Sequence, residues 1–131
     1  MTVTFFKTLF DKNPKYYDAD KILESFRNGP KDQVTASLLD QIRSTKDKEQ
    51  RNELKKQLPV ILFGGEFKER LDTALKSYSK LVVLDFDNCD VIKKRTELSL
   101  LDYVYAVWVS PSGDGLKALI KVSSDNHDGH F

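Results

Sequence analysis

The spacing of apolar and polar residues changes rhythm several times along this chain, and each change predicts an element. Thr2 to Leu9 is β-branched and aromatic, the make-up of a strand. The turn formers Asp11-Lys12-Asn13-Pro14-Lys15 close it. Ile22, Leu23 and Phe26 then share a helical face, with Asp18 or Asp20 as cap and Asn28-Gly29-Pro30 as stop. Val34, Leu38, Leu39 and Ile42 predict an amphipathic helix after Pro30. From Ser44 to Gln57 the chain is nearly all charged or polar. That stretch is either a solvated helix ending at Pro59 or a surface arm that contacts phosphate.

Beyond Pro59 the apolar residues cluster. Val60-Ile61-Leu62-Phe63, closed by Gly64-Gly65, predicts a short buried strand. Phe67, Leu71, Ala74, Leu75 and Tyr78 recur at helical spacing and predict a helix. Leu81-Val82-Val83-Leu84 predicts a second buried strand that runs into Asp85-Phe86-Asp87. Val91, Ile92, Leu98, Leu100 and Leu101 predict another helix. Tyr103 to Ser110 and Leu116 to Val122 predict two final strands, joined by Pro111-Ser112-Gly113-Asp114-Gly115. The order β-α-β-α-β-β from Val60 predicts the α+β class. One mixed or antiparallel sheet would hold the strands starting near Val60, Leu81, Val104 and Leu116, with helices packed on it.

At 131 residues the chain suits one domain with a core of its own. Within it, residues 1–58 form a strand-plus-helical unit, and residues 59–131 form the sheet unit that carries the motifs. The 21 Lys+Arg against 20 Asp+Glu leave a net charge of +1, so nucleic-acid binding requires a local basic patch. The single cysteine, Cys89, excludes a disulfide framework and a Cys-rich zinc site. No apolar run reaches the roughly 18 residues that cross a bilayer. The first residues lack the basic-then-apolar order of a signal peptide. A cytoplasmic protein with no membrane partner is the expectation.

Asp85 and Asp87 are the most informative pair. Side chains alternate along a strand, so these carboxylates point to one face about 7 Å apart. Leu81 and Val83 occupy that face earlier, which sets the acids where the core ends. Two such carboxylates repel unless a cation joins them, and hard oxygen donors suit Mg²⁺ or Mn²⁺ completed by substrate phosphates. The alternative is a strand end with caps and a turn. The second constellation is Ser110-Pro111-Ser112-Gly113-Asp114-Gly115-Leu116-Lys117. Gly113 and Gly115 permit a close backbone approach to an anion, Ser110 and Ser112 add hydroxyl donors, and Lys117 adds a point charge. An ordinary hairpin loop with a lysine on its wet face would look similar.

Other chemistry is weaker. His127 and His130 could meet on a helix and bind metal, but they read as a polar terminus. Cys89 has no histidine close in sequence and reads as a bystander. Trp108, sharing a strand face with Val104 and Ala106, reads as core. Tyr16, Tyr17, Tyr103 and Tyr105 could stack on bases, although aromatic residues in strands usually pack.

Taken together, three ordered segments resemble the archaeo-eukaryotic primase superfamily, in its VirE amino-terminal-like primase–polymerase branch from phages and mobile elements. They are Leu58 to Phe67, Leu81 to Asn88 and Ser110 to Lys117, and the likeness covers most of the chain from about Ile42 into His127. The resemblance implies an RRM-like sheet joined to a smaller α/β unit. It implies that Asp85 and Asp87 are catalytic metal ligands for Mg²⁺ or Mn²⁺. It makes Ser110, Ser112, Gly113, Gly115 and Lys117 the nucleotide-binding motif. Many superfamily members carry histidine where Lys117 stands, and lysine is normal for this branch. The implied partners are a nucleoside triphosphate, a single-stranded or primed DNA template, and a helicase or other downstream domain. The implied reaction is two-metal phosphoryl transfer in DNA replication. The family's third acidic residue lies on a later strand, and Asp125 and Asp128 stand too close to the second motif for that role. An incomplete or degenerate member, inactive alone, is therefore expected. A haloacid-dehalogenase-type phosphatase would need more chain after Asp87. A Toprim reading built on Glu66 leaves the Ser/Gly loop unexplained. The serious rival is a non-catalytic nucleotide- or nucleic-acid-binding module.

Overall fold

The computed structural model describes residues 1–29 and 32–122. Its elements are β1 (Thr2–Phe6), β2 (Lys15–Asp18), α1 (Ala19–Asn28), α2 (Gln33–Ser44), α3 (Lys48–Lys55), β3 (Val60–Leu62) and β4 (Gly65–Phe67). A 3-10 turn (Asp72–Ala74) follows, then β5 (Leu75–Tyr78), β6 (Leu81–Phe86), α4 (Val91–Ser99), β7 (Val104–Val109) and β8 (Leu116–Lys121). The fold is α+β, and every strand pair is antiparallel.

The single sheet expected from Val60 onward is replaced by three small ones, ordered β2-β1-β3, β4-β5 and β6-β8-β7. β3 does not join the Leu81, Val104 and Leu116 strands. It pairs instead with β1, Phe5 opposite Ile61 and Phe6 opposite Val60, across the division at residue 58. The helix expected over Phe67 to Tyr78 is also absent, and β4, the 3-10 turn and β5 take its place. Leu71 stays more than half exposed, so the apolar spacing there makes no buried stripe. A tertiary contact settles the matter. Fully buried Thr4 donates its hydroxyl to the Gly65 carbonyl (2.7 Å) and accepts from the Phe67 N–H (2.9 Å), pinning β4 to β1. β2 arises between the turn formers ending at Lys15 and the expected helix cap, where no strand is expected, and all four of its residues are exposed, so no buried period marks it.

The helices follow the expected patterns. Asp32 and Asp47 cap α2 and α3 by accepting from Val34 N–H and Glu49 N–H. α2 buries Leu38 and Ile42, whereas α3 buries nothing and is the solvated helix of the charged stretch. α4 begins at Asp90, which caps Lys93 N–H, and buries Leu98.

β8 is the central strand of its sheet, and both its faces are covered. Lys117 and Leu119 share one face with Leu81, Val83, Asp85, Ala106 and Trp108, from the pairings Asp85–Lys117–Trp108 and Val83–Leu119–Ala106. That face packs on Val3, Ala19, Ile22 and Phe63 of the N-terminal elements. Leu116 and Ala118 face the other way, against Leu98, Val91 and Phe86. β6, expected to be buried, is an edge strand with Val83 and Leu84 partly in solvent. Trp108 is core, as expected, in contact with Phe63 and Phe26. Its face is shared with Ala106 but not Val104. The pairing shifts between Val104 and Ala106, and this bulge at Tyr105 sends Val104 to the α4 side.

Tyr105 turns the bulge into a tether. Its hydroxyl donates to Asp20 on α1, and that hydrogen bond, with burial and the Asp20 and Asp18 charges, pushes its pKa up to about 12. The Tyr16 hydroxyl likewise donates to the Phe67 carbonyl, while Lys76 lies over its ring.

Two predictions follow from these contacts. Thr4→Val keeps the shape but strands a buried carbonyl and a buried N–H, so it should destabilise the protein by about 2 kcal/mol or more in urea titration. For Tyr105, a folded pKa above the ordinary value of 10 means that the folded state holds its proton longer. The contribution to stability is full below pH 10 and is lost as pH rises toward about 12. Tyr105→Phe should therefore remove the latest component of the phenolate absorbance titration and flatten the loss of stability over that alkaline window.

Candidate metal and nucleotide site

The antiparallel register of β6 and β8 sets Asp85 directly opposite Lys117. Lys117 Nζ donates to Asp85 Oδ1 at 2.7 Å, and the two side chains are 33% and 55% exposed. Trp108 completes the row on β7, with its ring 5.5 Å from Phe63 and 5.2 Å from Phe26. The ion pair thus sits where the apolar face gives way to solvent, one step beyond an aromatic floor.

Asp87 lies one residue past the end of β6 and is exposed. The backbone turns sharply after it. Asn88 takes a left-handed φ of 51°, tolerated by an Asx side chain, and leads into the Asp90 cap of α4.

The Ser110 to Gly115 loop closes on itself and against that turn. Ser110 N–H donates to the Gly115 carbonyl (3.0 Å), and Gly113 N–H donates to the Ser110 carbonyl (2.9 Å). Gly113 adopts a φ of 84°, where L side chains are strained. At Gly115 a Cβ would lie 2.5 Å from the Phe86 carbonyl oxygen and 3.3 Å from Asp87 Cα, so only glycine lets the loop touch the acidic strand end. The Ser112 hydroxyl donates to Asp114 (2.7 Å) and holds its carboxyl below the usual range, helped by Arg51 and Lys55 on α3. Ser110 is buried, and its hydroxyl lies 3.3 Å from that of Ser112.

The structure therefore brings together Asp85, Lys117, Gly115 and the backbone at Asp87. Ser110, Ser112 and Asp114 stand beside them in one loop, their polar groups engaged within it. His127, His130, Asp125 and Asp128 lie outside the described residues. Cys89 packs among the residues under α4, its thiol against the Phe86 carbonyl.

Sequence reasoning offers the charged stretch as a solvated helix or a phosphate-contacting arm but does not single out the basic side chains beside the loop. The Arg43 side chain runs over Gly113, within 3.5 Å of where a Cβ would stand. Arg51 donates twice to the Thr45 carbonyl (2.8 and 3.1 Å), which fixes its guanidinium at the start of α3. Arg43, Arg51 and Lys55 come from the charged stretch and its approach, and only the tertiary fold reveals that they border the loop.

As a metal site the arrangement supplies hard oxygen donors on a paired strand and at the turn after it, with an ammonium beside them. Among the described residues no cluster of three or more His, Cys, Asp or Glu stands ready to hold an ion. A cation held by these two residues would have to draw most of its ligands from phosphate and water.

These features define a small α+β domain with a Gly-containing hairpin loop closed over an acidic strand end. Residues 53–130 match the family model described as BT4734-like, N-terminal domain, and the chain belongs to that family. The match takes in the Asp85–Asp87 strand end, the whole loop and Lys117. No curated protein and no solved structure matches the chain. Among the described residues no helix is long and apolar enough to cross a membrane.

One substitution tests the close approach. Gly115→Ala forces a Cβ onto the Phe86 carbonyl and should cost about 1–3 kcal/mol, the usual range for overpacking. The amide resonances of Phe86, Asp87 and Ser110 should shift more than those of β1 and β2. Unchanged stability and spectra would mean that the loop and strand end are not in contact.

Proposed function

We propose that this domain is the metal- and nucleotide-binding part of a primase–polymerase-type nucleotidyltransferase acting in DNA replication of a phage or mobile element. The observation that carries the reading is the meeting of Asp85, Lys117 and the Gly115 approach at one end of one sheet, where the sequence resemblance sets its first two motifs. Asp85 and Asp87 are the donors to Mg²⁺ or Mn²⁺. Gly113 and Gly115 let the loop backbone approach a nucleoside triphosphate. Lys117 meets phosphate charge, and Arg43, Arg51 and Lys55 extend the positive rim toward phosphates of the nucleotide or a single-stranded or primed template. A bound divalent ion supplies charge neutralisation and activation of the attacking hydroxyl. The protein's own contribution is positioning, through a central strand that fixes Lys117 and a paired strand that fixes Asp85.

Ser110 and Ser112 take a different part from direct phosphate donation. Their hydrogen bonds shape the loop, and Ser112 would have to release Asp114 before its hydroxyl could serve a ligand. The rival reading, a binding module without turnover, draws on a specific observation: only two carboxylates, Asp85 and Asp87, stand at the strand end among the described residues. A downstream domain such as a helicase would serve as partner under either reading, in a cytoplasmic setting.

Calorimetry with Mn²⁺ and a nucleoside triphosphate tests the shared core of both readings. Wild type should bind the pair, and Asp85→Asn/Asp87→Asn should weaken binding by at least about tenfold, the scale lost when even an outer-shell partner of a metal ligand is removed. Equal binding by the two proteins would sink the site. Primer extension tests turnover: residues 1–131 should bind without extending a primed template, because holding two ions in register needs more than two carboxylates. A longer version carrying a further strand-borne carboxylate should extend it under the enzyme reading and not under the binding-module reading. Metal-dependent extension by this chain would refute the binding-only account.

A further inference from the structure

The cation already in contact with Asp85 is Lys117. This has a consequence for the order in which ligands arrive. We propose that Lys117 is a built-in competitor for the metal position. Its ammonium occupies Asp85 while the site is empty and leaves for a phosphate when a metal–triphosphate binds, which makes metal and nucleotide binding mutually dependent. The inference rests on the nucleotide-site reading above and adds its regulation.

Three observations carry it. First, Lys117 Nζ takes Asp85 Oδ1 at 2.7 Å, so that oxygen is not open to another cation without a rearrangement. Second, neither backbone can retreat. Asp85 and Lys117 are direct register partners, and Lys117 lies on a strand paired along both edges. Exchange must therefore come from rotation of the four-carbon lysine stem. Third, both side chains are partly exposed, and solvent screens an ion pair in that setting to a small net contribution. The contact is strong enough to compete and weak enough to open.

The electrostatics then give the coupling a sign. A divalent ion at Asp85 with the ammonium still nearby sets two cations side by side, so metal alone binds poorly. A triphosphate offers the ammonium an anion of higher charge, and Gly115, two residues before Lys117, holds the loop against the same strand end. Nucleotide raises the affinity for metal by giving Lys117 another partner, and by linkage metal raises the affinity for nucleotide by the same factor.

The test is Mn²⁺ titration, read by water-proton relaxation, with and without a non-hydrolysable nucleoside triphosphate analogue. It compares wild type, Lys117→Met, Lys117→Arg and Asp85→Asn, each checked for native circular dichroism. Lys117→Met should bind Mn²⁺ alone at least about threefold tighter than wild type, the scale expected for loss of a weak, partly exposed competitor. The analogue should enhance Mn²⁺ affinity less in that variant than in wild type. Lys117→Arg keeps the charge and should stay close to wild type for Mn²⁺ alone. If Lys117→Met binds Mn²⁺ alone no tighter than wild type, while Asp85→Asn abolishes binding of the Mn²⁺–analogue pair, the competitor role is overturned and the nucleotide site survives. If wild type and Asp85→Asn bind the Mn²⁺–analogue pair equally, the site itself falls, and the competitor role falls with it.

Discussion

A strand buried on both faces has little freedom to slip, because a shift of one residue exchanges every side chain between two different cores. β8 is in that position. Leu119 belongs to the core shared with the N-terminal elements, and Leu116 and Ala118 belong to the one under α4. This two-sided constraint fixes the register against β6, and the register in turn decides that Lys117 opposes Asp85 rather than Phe86 or Leu84. Gly115 adds a second pin at the end of the ladder, where the loop backbone lies on Phe86 and Asp87. The polar end of the sheet inherits its geometry from apolar packing farther along the same strands.

The same constraint separates the parts of the site by mobility. The carboxylate of Asp85 and the ammonium of Lys117 can rearrange only as side chains, whereas the backbone beneath them is held by pairing on β8's two edges. The loop is held differently, by hydrogen bonds among its own residues and by the stem of Arg43 lying over Gly113. Charge around it is mixed. Asp114 faces the positive helices, Asp85 faces a lysine, and a net charge of +1 for the whole chain conceals this local order.

Much of the fold was legible in sequence because it depends on local periodicity. The helices over Val34 to Ile42 and Val91 to Leu98 follow from apolar spacing and Asp caps, and the one over Ile22 to Phe26 from apolar spacing alone, since Asp18 stands at its N-cap without a side-chain cap hydrogen bond. The β7–β8 hairpin follows from two strand-forming runs around a Gly-rich loop. What was not legible depends on contacts distant in sequence. Phe67 to Tyr78 carries helical spacing, but Thr4 captures the backbone at Gly65 and Phe67 and makes that segment a hairpin. The Val60 strand reads the same whether it joins the C-terminal sheet or pairs with β1. One extra residue at Tyr105 reverses the face of Val104, a displacement that strict alternation cannot express. The acidic strand end and the loop were visible as motifs. The Lys117–Asp85 contact needed the register, and the Arg43, Arg51 and Lys55 rim needed the placement of α2 and α3.

The pairing of β3 with β1 carries a further consequence. The stretch that matches the family, residues 53–130, contains β3 and Phe63 but none of the residues that β3 pairs with or that cover Phe63 from α1. Cut at that boundary, β3 would have no neighbour, Gly65 and Phe67 would lose their partner on Thr4, and the Trp108 face of the C-terminal sheet would open to water. The span defined by the family match is therefore shorter than the span over which the core is shared. The strand and helix that complete the matched stretch are supplied in this chain by β1 and α1, which lie ahead of it.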